Sequence, residues 1–307
     1  MSLTVKSATS HLGNAMGMEK HSMTMDKPTG AAASDDMTAG INMVIRQDPF
    51  SISLDASALL ALSILLVIGM HTMDHFLLKC LIITIPVLLL VRNDYHNFLN
   101  LGPGGTPATP AGYARLTWYR IFALRDPFSP PPRDPAQLPS AGILKGLPYR
   151  PGPRPTVAGL APQRQLDQFG SQEMYNKLKA TLLRLTAQNP KKFTTATSCL
   201  EKHGFALFAR HPLNVCGNGE VCHLHTSEKS MHMNLHPDDI KEMLEKGWGQ
   251  RHPMAWTGWV YTPVPSTFVM VYAPRDENDL RIACKIIEAA IWYTASEKAD
   301  IEGLLDA

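Results

Sequence analysis

Hydrophobic positions are concentrated in one block, residues 56–91, and polar or proline-rich sequence flanks it on both sides. The block has two pieces. Ala58–Met70 is uncharged, His71-Thr72-Met73-Asp74-His75 interrupts, and Phe76–Val91 carries Lys79 as its one charge with Pro86 inside it. A spanning helix needs about 20 apolar residues. The second piece spans when Lys79 snorkels to an interface. Three readings follow: one membrane helix over residues 76–93, a hairpin with both pieces embedded, or a buried pair of core helices. The flanks hold little apolar sequence to cover such helices on all sides. Residues 56–93 are therefore expected to be a membrane anchor in contact with lipid. Arg92, Arg115, Arg120, Arg125, Arg133 and Lys145 follow the block, and this positive flank predicts that the C-terminal part faces the cytosol.

Beyond residue 165 the pattern becomes that of a compact domain. Met174, Leu178, Leu182 and Leu185 recur at helical spacing, and Asn189-Pro190 stops that helix. Strands are predicted over residues 193–198, 205–209, 221–225, 230–235 and 266–272. Residues 237–246 read as a helix: Pro237 sits in the first turn, Asp238 and Asp239 suit the positive end, and Gly247 suits the stop. The last helix covers residues 276–294, with Leu280, Ala283, Cys284, Ile287 and Ile291 on one face. This order predicts an α+β fold in which an antiparallel sheet packs with helices.

The remaining segments carry no core of their own. Residues 1–55 are expected to be a disordered tail: positions 1–45 are Ser-, Thr-, Met-, Ala-, Gly- and Lys-rich without an aromatic. A secretory signal peptide would place an apolar run near residue 10, and none is there. Residues 94–164 read as a proline-rich linker, punctuated by Gly102-Pro103-Gly104-Gly105, Pro130-Pro131-Pro132 and Pro151-Gly152-Pro153-Arg154-Pro155. Proline at this density blocks long helices and central strands. One amphipathic stretch, Tyr113–Leu124, either lies on the membrane surface or packs on the folded domain, which is placed at 165–307.

The 307 residues allow one sizeable domain with appendages or two small ones. A net charge of +2 and no basic cluster with interleaved aromatics argue against nucleic acid as a partner. The five cysteines, Cys80, Cys199, Cys216, Cys222 and Cys284, show no CxxC spacing. An odd, sparse set argues against a disulfide framework and for a cytosolic setting.

Histidine placement is the main chemical signal. On a strand His223 and His225 share one face, with Cys222 and Leu224 on the other. Thr226-Ser227-Glu228-Lys229 is an acceptable hairpin loop. Pairing His225 with Ser230 sets His223 opposite His232. One face then holds Cys222, Leu224, Met231, Met233 and Leu235, and the other gathers three histidines and Asn234. Three uses remain open: a solvated face, a metal site of three imidazoles, or metal-free acid–base chemistry. Glu228 has nearly the spacing of a carboxylate metal ligand but falls in the turn. A second group is Gly247-Trp248-Gly249-Gln250-Arg251-His252-Pro253, whose density of polar side chains directly after the helix is unusual for a plain connector. Arg251 suits an anionic oxygen, His252 a base, and Trp248 the wall of an aromatic site. The bland reading is a core tryptophan and a structural arginine. If both groups serve one pocket, Arg251 or His252 must approach the histidine face, with Trp248 or Trp259 as a wall.

These residues resemble the fungal luciferases. The similar segments are Glu220-Val221-Cys222-His223-Leu224-His225, His232, the 246–253 run, Tyr272-Ala273-Pro274-Arg275 and Glu288-Ala289. Upstream they are Asp94-Tyr95, Phe98-Leu99, Arg150-x-Gly152-x-Arg154-Pro155 and Gln163-Arg164-Gln165. The resemblance implies an enzyme with an N-terminal membrane helix that adds dioxygen to 3-hydroxyhispidin, a styryl-pyrone. The peroxide then loses carbon dioxide and emits light. It implies no organic cofactor, with dioxygen as co-substrate, and no required metal; a divalent metal on His223, His225 and His232 is the alternative. The candidate catalytic residues are His223, His225, His232, Arg251 and His252. The candidate substrate-binding residues are Glu220, Trp248, Gln250, Trp259 and Tyr272. Alternative functions are a metal-dependent dioxygenase or hydrolase, or a non-catalytic membrane protein binding a small aromatic ligand. The segment Trp256–Pro265 departs from the family pattern, which points to a changed substrate if it lines the pocket.

Overall fold

The computed structural model describes residues 56–306 apart from Trp259. The tail expected at 1–55 and the proposed wall residue Trp259 lie outside the described residues. The two apolar pieces form α1 (Ala56–Thr72) and α2 (Phe76–Asn100). Their apolar side chains are not packed in a core, Phe76 being 76% exposed and Leu88 60%. The reading as buried core helices therefore fails. Among the described residues α2 is the one helix long and apolar enough to cross a membrane, and α1 is shorter.

The last turns of α2 change character. Tyr113 donates its hydroxyl hydrogen to Asp94 at 2.7 Å, and Arg120 pairs with the same carboxylate. Phe98 is buried, with its ring 6.0 Å from that of Tyr113. These contacts tie α3 (Pro110–Arg120) to the end of α2. Thr109 caps α3 by accepting from Gly112 N, and Pro110 occupies the first turn, where a missing N–H is harmless. The helix thus starts and ends a few residues before the predicted 113–124. Leu116 faces inward, and Tyr119 and Phe122 contact the Trp256 ring. The stretch packs on the domain, while Trp118 stays 58% exposed.

The domain follows with β1 (Val157–Gly159), β2 (Gln163–Gln165), α4 (Gln172–Gln188), β3 (Phe193–Thr197), β4 (Phe205–Ala209), β5 (Glu220–Leu224) and β6 (Met231–Asn234). It ends with α5 (Pro237–Lys246), β7 (Gly249–Arg251), β8 (Phe268–Val271), α6 (Glu277–Ala295) and α7 (Ile301–Leu305). The six-stranded sheet is antiparallel throughout, in the order β3-β4-β5-β6-β8-β7. The expected α+β class and the β5–β6 register are observed, with His223 opposite His232 and Leu224 opposite Met231. Leu224, Met231, Met233 and Leu235 join Leu178, Leu182, Cys284 and Ile287 in the main core, so α4 and α6 cover this face.

Two elements differ from expectation. Gly249-Gln250-Arg251 is a strand, where none was expected, and forms the sheet edge beside β8. The reason lies in its glycines. Gly247 ends α5 with φ 81°, the left-handed region that glycine enters freely. A Cβ at Gly249 would meet Met270 O at 2.3 Å and Met243 Sδ at 2.8 Å. The second difference is residues 94–164, which pack along the domain rather than hang free. Their prolines leave backbone carbonyls unpaired by local structure, and domain donors take these up: Arg251 N to Pro127 O at 2.9 Å and Trp248 Nε1 to Pro148 O at 2.7 Å. In return Arg150 N donates to Lys246 O, and Leu144 N to Asp239. The β1–β2 hairpin also lies before the predicted start of the domain.

Leu224 is fully buried between strands and helices. Leu224→Ala should lower stability by about 2–5 kcal/mol, read by denaturant unfolding.

Candidate active site: a buried histidine cluster

The sheet face opposite α4 and α6 carries His223, His225 and His232, all buried. Alternation along β5 and β6 places them together, as the hairpin register requires. Their ring centroids lie 5.3 Å (His223–His225), 5.2 Å (His223–His232) and 4.8 Å (His225–His232) apart. One ring nitrogen from each lies within 4.8 Å of the others.

Each ring is held through Nδ1. His223 Nδ1 meets Glu220 Oε1 at 2.5 Å. His225 Nδ1 meets Glu228 Oε1 at 2.5 Å and Ser230 Oγ at 2.9 Å. His232 Nδ1 meets the Val269 carbonyl at 3.1 Å. Acceptors at Nδ1 fix the tautomer and leave Nε2 as the free acceptor. His223 Nε2 is buried and meets no hydrogen-bond partner among the described residues. His225 Nε2 lies 3.3 Å from Arg164 Nη1.

Arg164 and Glu201 complete the polar cluster, and residue spacing did not single them out. Arg164 is fully buried, pairs with Glu201, and donates to Pro103 O at 2.6 Å and Gln163 O at 3.0 Å. Its sequence signal was the Gln163-Arg164-Gln165 similarity, whereas Glu201, in the turn after β3, gave none. Burial raises the Glu228 carboxyl, but His225 and Arg164 outweigh it and hold it down at about 2. Burial likewise opposes ionisation of Glu201, and His225 and Arg164 again win, leaving it below its usual value. Burial depresses His225 despite Glu228. Burial and the neighbouring rings depress His232 further. Burial thus disfavours the charged forms of His225 and His232, while the neighbouring charges keep Glu201 and Glu228 ionised.

The 246–253 run separates into different roles. His252 does reach the histidine face, 5.1 Å from the His232 ring. It is a wall rather than a base: Met254 N donates to its Nδ1 at 3.1 Å, its ring also bonds the Leu160 backbone, and burial lowers it to about 3. Arg251 does not reach the cluster. Its guanidinium donates to the backbone carbonyls of Ser129, Ala255 and Ser266. Trp248 belongs to the main core, not to a pocket wall. Gln250 shares the histidine side by register, opposite Met270, which is opposite His232. Two strand spacings put it about 10 Å away. Its Oε1 accepts from Tyr272 Oη at 3.1 Å. Glu220 is also reassigned, because both its oxygens are taken by Ser198, Cys199 and His223.

A second apolar cluster closes this side: Met254, Ala255, Trp256, Val264 and Phe268, with Tyr119, Phe122 and Leu160 against it. Phe268 stacks on His232 at 5.3 Å and 16°. Aromatic and aliphatic surface thus meets the polar cluster directly.

The three histidines, Glu220, Glu228 and the 246–253 run lie within a stretch matched, over residues 218–290, by the family described as "Luciferase domain". The luciferase of Neonothopanus nambi is 32% identical over 234 residues, 68% of this chain and 83% of its own length. The chain belongs to the fungal luciferase family. The luciferases of Armillaria gallica and Armillaria ostoyae are 32% and 33% identical, covering 84% and 83% of those proteins. No solved structure matches the chain. Within this luciferase-family domain, the GWGQRHP run is an architectural motif that shapes a sheet edge and one wall.

Arg251→Ala should lower stability, because the buried Ala255 carbonyl loses its donor, as do the part-buried contacts to Ser129 and Ser266, and a buried unsatisfied group costs roughly 1–3 kcal/mol. Thermal unfolding checks this, with a drop larger than that of the exposed Arg133→Ala.

Proposed function

We propose that the chain is a membrane-anchored oxygenase of luciferase type that adds dioxygen to a 3-hydroxy-pyrone related to 3-hydroxyhispidin. The observation that carries this reading is the buried cluster of three imidazoles, each oriented through Nδ1, beneath an aromatic cover. An enol entering the cluster loses its proton to an imidazole, and His223 is best placed, since Glu220 orients it and its buried Nε2 has no hydrogen-bond partner among the described residues. Arg164 takes the part first given to Arg251. Its charge stabilises the enolate in a low-dielectric site. The carbanion carbon of the enolate then adds dioxygen, which is reduced to a peroxide, and collapse of the ring expels carbon dioxide. Because the cluster is buried, substrate enters only when part of the cover over Phe268 and Trp256 is displaced.

Oxygen uptake and light emission with 3-hydroxyhispidin test the reading together. Uptake with carbon dioxide release is expected, and His223→Ala should reduce it about 100-fold or more with the fold retained. Absence of uptake across a panel of hydroxypyrones would sink the oxygenase.

The anchor is assigned to α2, whose apolar surface needs a lipid partner. Arg92, Arg115, Arg120 and Arg125, which follow its apolar part, support a cytosolic side for the domain. The full chain should sediment with membranes through a salt wash and need detergent for release; recovery in the soluble fraction would contradict the anchor.

A further inference from the structure

We propose that His223, His225 and His232 bind one divalent first-row transition-metal ion. The proposal rests on the reading that the histidine cluster is the reaction centre, and it departs from the metal-free chemistry that the family resemblance implied.

Ring geometry is the first support. Imidazoles bound through nitrogen at about 2.1 Å in a tetrahedral site have centroids about 5.2 Å apart. The three observed separations are 5.3, 5.2 and 4.8 Å. The ring nitrogens lie within 4.8 Å of one another and must close to about 3.4 Å around an ion, which small ring rotations supply.

The surroundings of the rings are the second. A metal-binding histidine presents one nitrogen to the ion and anchors the other on a carboxylate or a backbone carbonyl. Glu220, Glu228 and the Val269 carbonyl provide that anchor for all three rings. A lone base needs one such anchor. Three converging on one point are the pattern of a ligand set. The buried His223 Nε2, without a hydrogen-bond partner among the described residues, is an acceptor left for the ion.

Formal charge is the third. Glu201, Glu220 and Glu228 are buried beside one guanidinium, Arg164. Carboxylates thus outnumber guanidinium around the three rings, an acidic buried lining that suits a divalent cation. Arg164 Nη1 gives up its contact with His225 Nε2 when the ion binds. The guanidinium keeps its bonds to Glu201, Pro103 and Gln163.

Three imidazoles suit zinc, iron(II) or copper, whereas magnesium and calcium prefer oxygen ligands. An ion held there would leave a fourth position for the enol oxygen and would supply Lewis-acid stabilisation of the enolate; the enol proton would pass to the Glu201 carboxylate, whose Oε1 lies 3.9 Å from His225 Nε2.

The test uses the full chain in detergent, stripped with chelator and titrated with Zn2+ and with Co2+. One equivalent should bind, Co2+ should give the visible ligand-field absorption of a tetrahedral site, and the melting temperature should rise. His232→Ala should abolish binding. Glu228→Gln should weaken it about 10–100-fold with circular dichroism unchanged, which keeps the test decisive if His232→Ala misfolds. A folded, stripped chain that binds neither ion stoichiometrically overturns the site. So does undiminished binding by Glu228→Gln together with His232→Ala. Oxygen uptake with 3-hydroxyhispidin on the same samples separates the two proposals. Full uptake by stripped protein overturns the ion's role and leaves the oxygenase standing. Metal binding without uptake on any hydroxypyrone supports the site and overturns the oxygenase.

Discussion

The structure depends on one constraint: a cluster of ionic and polar side chains is buried on one face of a sheet, so every member must find a partner there. Buried unpaired charge is strongly unfavourable. Glu220 answers His223, Glu228 answers His225, and Glu201 answers Arg164. These partners come from distant segments: the loop at Pro103, the strand at 163–165, the turn at Glu201, and the β5–β6 hairpin. Satisfying one cluster therefore fixes how much of the domain is assembled. It also draws in the proline-rich region, whose unpaired carbonyls are ready acceptors.

Strand alternation keeps this polar face apart from the apolar one. Cys222, Leu224, Met231 and Met233 turn toward α4 and α6, and their neighbours in sequence turn toward the histidines. A one-residue slip in β5 would exchange the two sets, burying leucine among carboxylates and histidine in the main core. The second apolar cluster then seals the polar face, with Phe268 against His232 and Trp256 against Tyr119 and Phe122. The polar face is thus enclosed, and in its low dielectric the fixed charges interact strongly.

The same cover links the site to the end of α2. Asp94, at the end of α2, holds Tyr113 and Arg120 of α3, and the segment after α3 packs on Trp256. A continuous series of contacts thus runs from the last turns of the apolar helix to the aromatic layer over the histidines.

Much of this could be read from the residues. Period-two alternation and a four-residue loop specified the β5–β6 register, the apolar face and the shared histidine face, because strand geometry follows from local pattern alone. Pro237, Asp238, Asp239 and Gly247 marked α5 for the same reason, since capping is local chemistry. The roles of polar residues were not readable in this way. Arg251 and Trp248 looked like pocket groups, yet their partners are carbonyls at residues 129, 255, 266 and 148. Arg164 and Glu201 were passed over because nothing in their spacing announces the site. Sequence determined which residues alternate, cap and turn. Tertiary structure decided which charges meet, since pairing between segments depends on where the chain brings them, and no local period encodes that distance.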